Sequence, residues 1–163
     1  RVFSTAKLSM GSGTSGKLVT EVKKRMASAV GDTQLAIIDG SPGIGCPVIA
    51  SISGVDMVLV VAEPSLSGIS DMERILKTVD KFGTKTAVCV NKFDANLVKT
   101  EEIREFCYTK GIPFVGVIPF DPEAIKAVND GKSIAQVDCP SGSAVREIYN
   151  NTMNLFFIRG DTS

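Results

Sequence analysis

Three stretches of this sequence close an apolar run with residues that can do chemistry: IIDGSPGIG at 37–45, CVNKFD at 89–94 and VIPFDPE at 117–123. A carboxylate at the tip of a buried strand, here Asp39, can accept hydrogen bonds from magnesium-bound water. A glycine shortly after it, Gly43, can offer its amide to a terminal phosphate. Asn91 and Asp94 combine an amide with a carboxylate, a pair that can read the edge of a purine. Pro119 and Asp121 can border the same base. Each stretch has a second use, because Asp39 can cap a turn, Asn and Asp after a strand are ordinary turn residues, and Asp121-Pro122 can open a helix.

A fourth stretch, Gly11-Ser-Gly-Thr-Ser-Gly16-Lys17, fits the Gly-x-x-x-x-Gly-Lys half of a phosphate-binding loop. Leu18 stands where a Ser or Thr should hold magnesium. The preceding RVFSTAKLS alternates apolar and polar residues like a half-exposed strand, whereas a phosphate loop springs from a buried one. The stretch therefore reads as a helix start, with Ser15 as cap and Leu18, Val19, Val22, Met26 and Val30 on the inner face.

Positioning the three tips requires strands. Short continuous apolar runs, QLAIIDG, MVLVVAE, KTAVCVN and IPFVGVI, predict four strands covered on both faces. Between them, Met72, Ile75, Leu76, Val79 and Phe82 share one helical face and Ile103, Phe106 and Cys107 another, with Gly83 and Gly111 as stops. Asp121, Pro122 and Gly131 bound a short helix, and a last helix starting near Ser141 or Ser143 carries Val145, Ile148, Tyr149 and Leu155 inward. Strands alternating with amphipathic helices predict an α/β fold with a parallel sheet, and ligands of such sheets bind beyond the carboxyl ends of the strands.

The 163 residues, 44% hydrophobic and 22% charged, suffice for one compact domain over 1–163. Lys plus Arg equals Asp plus Glu, 18 of each, so no basic footprint for nucleic acid or anionic membrane is present. The four cysteines are widely spaced and the chain has no histidine, which argues against a zinc site. Cys89 and Cys107 read as buried small hydrophobes, and Cys46 and Cys139 as loop thiols. With no secretory signal or long apolar stretch, the thiols suit a reducing cytoplasm. Because it starts with Arg inside a strand-like run, the chain reads as a piece of a longer protein.

Taken together, LAIIDGSPGIGCPVIASISGVDMVLVVAEPSLSGISDMERIL, VNKFD and IPFDPEAIKAVNDGK resemble the MinD/ParA/Mrp group of P-loop ATPases, over essentially the whole chain. SGKLVTEVKK resembles the segment just after an inserted ferredoxin domain in one subgroup. The resemblance implies a three-layer P-loop NTPase-like fold, incomplete at the N-terminus, that binds ATP and magnesium and dimerises on nucleotide binding. In that likeness Asp39 is the Walker B acid that orders magnesium, Gly43 senses the terminal phosphate, Asn91 contacts the purine, and Pro119, Phe120 and Asp121 border the base. Ser65 to Ser70 resembles a loop facing the partner subunit of a homodimer. The true phosphate loop and the cysteine motifs of the iron-sulfur insertion are not in this sequence. The resemblance thus implies ATP hydrolysis, and work with an iron-sulfur or electron-transfer partner, only for a longer protein, and little hydrolysis by this chain alone. Two alternatives remain open: a non-catalytic α/β interaction module, and a GTP-binding protein, since Asn91-Lys92-Phe93-Asp94 has the Asn-Lys-x-Asp spacing of guanine recognition.

Overall fold

A computed structural model describes residues 15–29, 35–40 and 45–157. The chain divides into two compact units, 1–55 and 56–163.

In the first unit, helix α1 (Ser15–Ala29) and helix α2 (Cys46–Ile52) pack together. Leu18, Val19, Val22 and Met26 are half-buried along α1, the face that the 3.6-residue period predicts. Val30 lies outside the described residues. Lys23 reaches across to the end of α2, where its ammonium donates to the carbonyls of Ala50 (3.2 Å), Ser51 (3.3 Å) and Ser53. Helix-terminal carbonyls have no partner within the helix, and a cation there also meets the negative end of the helix dipole. Partial burial pulls the Lys23 pKa below its ordinary value.

Residues 35–40, which include Asp39, have no regular secondary structure. The fourth strand expected over QLAIIDG is thus not formed over 35–40, the described part of that run. An apolar run supplies the side chains of a buried strand, but its backbone needs a neighbour to bond, and no described residue pairs with this one.

The second unit holds a three-stranded parallel sheet in the order β1 (Met57–Ala62), β2 (Lys85–Asn91), β3 (Phe114–Ile118). The strands fall where the other three apolar runs predicted. Helices α3 (Leu66–Asp80) and α4 (Leu97–Lys110) cover one face, where Val60, Ala62, Val88 and Val90 meet Met72, Leu76, Ile103 and Cys107. Helix α6 (Pro140–Phe157) covers the other through Ile148, which packs on Ala87, Cys89 and Val115. The result is helix, sheet, helix: three layers, as expected for a parallel sheet that must bury both faces. Along β1, Leu59 and Val61 stay 37% and 56% exposed, beyond the reach of α6.

Gly116 sits inside β3 with φ 146°, and a Cβ there would lie 2.8 Å from Ile148 Cγ1. The missing side chain lets α6 lie close to the strand. Gly111 ends α4 in the left-handed conformation as expected, and its N–H caps the Tyr108 carbonyl. Two expected inward residues point out. Tyr149 is 49% exposed, and Phe82, two residues past the end of α3, is 45% exposed.

Candidate functional site

The carboxyl ends of β1, β2 and β3 lie side by side at one edge of the sheet, because the strands are parallel and adjacent. Asn91 ends β2 and is the register partner of Ile118, so it stands beside the residue that precedes Pro119. Asn91 and Pro119 are half-buried, and Phe120 is 55% exposed. The side-chain amide of Asn91 makes no hydrogen bond to another described residue.

Lys92 comes next in the left-handed conformation, φ 52°, the single non-glycine residue with positive φ among those described. Such a conformation costs a side-chain-bearing residue about 1 kcal/mol or more and persists when its surroundings hold it. Two contacts do so here. The Lys92 ammonium pairs with Glu63 Oε1 at 2.8 Å, joining the tips of β1 and β2. After Lys92 the chain makes a 3-10 turn, Phe93–Ala95, whose Phe93 carbonyl accepts the Thr100 hydroxyl at 2.8 Å. From that turn Asp94 Oδ1 accepts the Phe120 N–H at 2.8 Å, joining the tips of β2 and β3.

Asp121 caps two helices at once. Its Oδ1 accepts the Glu123 N–H of α5 (Pro122–Asn129) at 3.0 Å, and its Oδ2 accepts the Ser141 N–H of α6 at 3.1 Å. The Ser141 amide first, and then that of Glu123, hold its carboxyl below the ordinary carboxylate pKa. Arg146 closes the segment between those helices by donating to the carbonyls of Ala135 (2.9 Å) and Val137 (3.2 Å).

At the tip of β1, Ser65 caps α3, its Oγ accepting the Gly68 N–H at 3.0 Å. A Cβ on Gly68 would collide with the Glu63 carbonyl, so the turn from 63 to 68 is tight and needs glycine. Ser65 to Ser70 therefore form the cap and first turn of α3.

Of the residues expected to do chemistry, Asn91, Pro119, Phe120 and Asp121 come together at this edge. Asp39 lies in the first unit, exposed on the irregular segment 35–40, and Gly43 lies outside the described residues. Glu63, Lys92 and Asp94 contribute ties that spacing alone did not reveal, since each depends on strand register. Among the described residues no group of three or more His, Cys, Asp or Glu is arranged to hold a metal. No described helix is long and apolar enough to cross a membrane. A surface depression of about 450 Å³ lies elsewhere, on α4, lined by Leu97, Val98, Glu101, Glu102 and Glu105.

The thiols differ sharply. Cys89 and Cys107 are buried, and burial pushes both up to about 11. Cys46 is the exposed first residue of α2 rather than a loop residue, and Cys139, half-buried before α6, accepts the Gly142 N–H at 3.4 Å.

Residues 5–134 match the family model of the CobQ/CobB/MinD/ParA nucleotide binding domain, and the chain belongs to that family. An uncharacterized protein of Methanocaldococcus jannaschii is 27% identical over 144 residues, 87% of this chain and 47% of that protein. The septum site-determining protein MinD of Helicobacter pylori is 28% identical over 128 residues, 72% of this chain and 48% of its own length. The chain spans about half the length of these curated relatives. Among solved structures, the MinD cell division protein of Aquifex aeolicus superposes with a TM-score of 0.68 at 19% identity, covering 85% of this chain and 61% of that one. The Pyrococcus furiosus cell division ATPase MinD does so at 0.68 and 18%, covering 86% and 59%. These likenesses establish the α/β fold of MinD-type P-loop NTPases with its parallel sheet, and the family is one of nucleotide-binding domains.

Proposed function

We propose that the chain is the base-binding part of a MinD-type ATPase, with the tips of β2 and β3 holding the purine of ATP. The observation that carries the reading is the register of Asn91 against Ile118, which sets a side-chain amide without a partner among the described residues beside the Pro119–Phe120 rim. An amide presents an acceptor and a donor side by side, the complement of a purine edge. Pro119 and Phe120 flank the base, and Asp121 fixes their backbone by capping two helices.

Asp39 is proposed as the acid that orients magnesium-bound water, and Gly43 as an amide donor to the terminal phosphate. A single carboxylate fits magnesium, which keeps several waters and takes most of its remaining ligands from phosphates. When bound, the metal supplies charge neutralisation to the phosphates. Leu18 offers no hydroxyl after Gly16-Lys17, so the phosphate loop is proposed to come from residues outside this chain, and the chain alone to hydrolyse ATP poorly. Ser65 to Ser70 is proposed to face a second copy in a nucleotide-bound dimer. From SGKLVTEVKK we place the longer protein in the ferredoxin-containing subgroup, working with an iron-sulfur or electron-transfer partner in the cytoplasm.

Titration of fluorescent ATP with magnesium into this chain, and into a longer protein containing it, tests the reading. Saturable, magnesium-dependent binding weakened about tenfold by Asn91→Ala is expected, the worth of one good hydrogen bond pair. Binding by neither protein removes the proposal. In the longer protein Asp39→Ala should lower turnover by about tenfold or more, and unchanged turnover would remove the metal role.

A further inference from the structure

Helix α4 carries apolar residues on both of its sides. Ile103 and Cys107 are fully buried against the sheet, yet Leu97, Val98 and Tyr108 stand 60%, 70% and 88% exposed. At about 100° per residue, Leu97, Glu101, Glu105 and Tyr108 follow one another along the outer face, with Val98 and Glu102 beside them. Single apolar residues scattered over a surface are ordinary, whereas three on one side of one helix, set around a hollow, mark a contact surface. That hollow is the depression of about 450 Å³ lined by Leu97, Val98, Glu101, Glu102 and Glu105. A second, of about 380 Å³, shares Glu101 and Glu105 with it and reaches Tyr108.

The charge of this face is one-sided. Three carboxylates line the first hollow and no cation does. Lys99 Nζ is held 2.6 Å from Glu102 Oε2 and is itself largely covered. The Arg104 guanidinium lies over the Phe114 ring at 5.1 Å, turned toward the sheet, with its Nε 3.7 Å from Glu101 Oε1. Glu105 has no hydrogen bond or ion pair with another described residue. Carboxylates in such a row repel nucleic-acid phosphates and anionic lipid headgroups. Among the described residues no group of three or more is arranged to hold a metal. An amphipathic helix carrying Lys or Arg answers both features, because these side chains lay apolar stems along apolar surface and extend their charged heads beyond it.

Both ends of α4 are already fixed. Asn96 Oδ1 accepts the Lys99 N–H at 3.0 Å, the Thr100 hydroxyl bonds the Phe93 carbonyl at 2.8 Å, and Gly111 closes the last turn. A surface formed in advance loses less entropy when it is covered.

We propose that the outer face of α4 docks a basic amphipathic helix of another protein. Apolar residues of that helix seat on Leu97 and Val98 at one end and on Tyr108 at the other, about 16 Å away along the axis. Its Lys or Arg residues, one to two turns from either end, pair with Glu101, Glu102 and Glu105. The proposal is independent of the nucleotide reading, since it concerns α4 and not the strand tips.

The test titrates the isotope-labelled chain with a synthetic helical peptide of about three turns, leucines at both ends and arginines between, and with a control in which glutamates replace the arginines. The basic peptide should bind saturably and at least about tenfold more tightly than the acidic one, with the largest amide shifts at Val98, Glu105 and Tyr108. Glu101→Gln/Glu105→Gln should weaken it about threefold to tenfold at low salt. Val98→Ser should weaken it about threefold or more, at low salt and at about 0.5 M salt alike. Binding of neither peptide, equal binding of both, or shifts centred away from α4 overturns the proposal. Basic-peptide binding that is abolished by salt and untouched by Val98→Ser is unspecific charge attraction and also overturns it. Self-association of the chain broken by Val98→Ser, with no peptide bound, makes the occupant a second copy and overturns it as well. Should Val98→Ser lose helix by circular dichroism, Tyr108→Ser takes its place with the same expected weakening.

Discussion

Asp121 Oδ2 accepts the backbone N–H of Ser141 at 3.1 Å, twenty residues later in sequence, so a carboxylate just past β3 caps the start of α6. The other oxygen caps α5 through Glu123, and one side chain thereby fixes two helix entries. The amides of Ser141 and Glu123 favour the ionised form and depress the pKa in the folded state. Stabilisation is therefore full above the unfolded carboxylate value of about 3.9 and disappears as pH falls through the lower folded value. Asp121→Asn should melt lower than wild type at pH 7, and the difference should shrink on going from pH 7 to below the unfolded value of about 3.9. Melting curves across that range check it, and a constant difference at all pH values would separate the cap from the charge.

Gly116 and Ile148 make a second specific pair. Gly116→Ala should destabilise the second unit by roughly 1–3 kcal/mol, the usual cost of forcing a methyl into a packed site, with backbone strain from the positive φ added. Trimming the opposing side chain separates the two causes. In the Gly116→Ala/Ile148→Ala double variant the steric part should vanish, making the two changes less than additive in a denaturant series.

Ile103 is fully buried between α4 and the sheet, within the cluster that contains Val88 and Leu76. Ile103→Ala should cost about 2–5 kcal/mol, through lost transfer energy and the cavity left behind. Chemical unfolding followed by circular dichroism measures this. A cost below about 1 kcal/mol would mean that α4 is not seated on the sheet as described.

Burial predicts an order of thiol reactivity. At pH 8, Cys46 should react first with a thiol reagent and Cys139 more slowly, while Cys89 and Cys107, both near 11, should react only on unfolding. Mass spectrometry of timed alkylation reads the order directly. Rapid native labelling of Cys107 would contradict its place under α4.

Much of this fold is written locally. MVLVV, KTAVCVN and the FVGVI core of the third run need cover on both faces, and the helices between them carry matching apolar stripes. Asp121-Pro122 opens α5 as a cap followed by proline should. QLAIIDG carries the same signal, yet its described residues 35–40 form no strand, because apolar composition gives the wish for burial and not a backbone partner among the described residues. Tyr149 and Thr152 show the limit of periodicity. Thr152 is buried because its hydroxyl is satisfied by the Ile148 carbonyl at 2.7 Å, while the larger Tyr149 keeps its phenol in solvent. Asn91, Pro119 and Asp121 were legible as strand-tip residues. The ties from Glu63 to Lys92 and from Asp94 to Phe120 were not, since they depend on which strands become neighbours and in what register.

The most direct test of a base site at these strand tips is a two-dimensional NMR titration of the isotope-labelled chain with ATP and magnesium. The largest amide and side-chain shifts should fall at Asn91, Lys92, Phe120 and Asp121, with the Asn91 side-chain amide moving furthest. Shifts centred instead on the outer face of α4, at Leu97, Glu101 and Glu105, with Asn91 unmoved at saturation, would contradict the assignment of this edge.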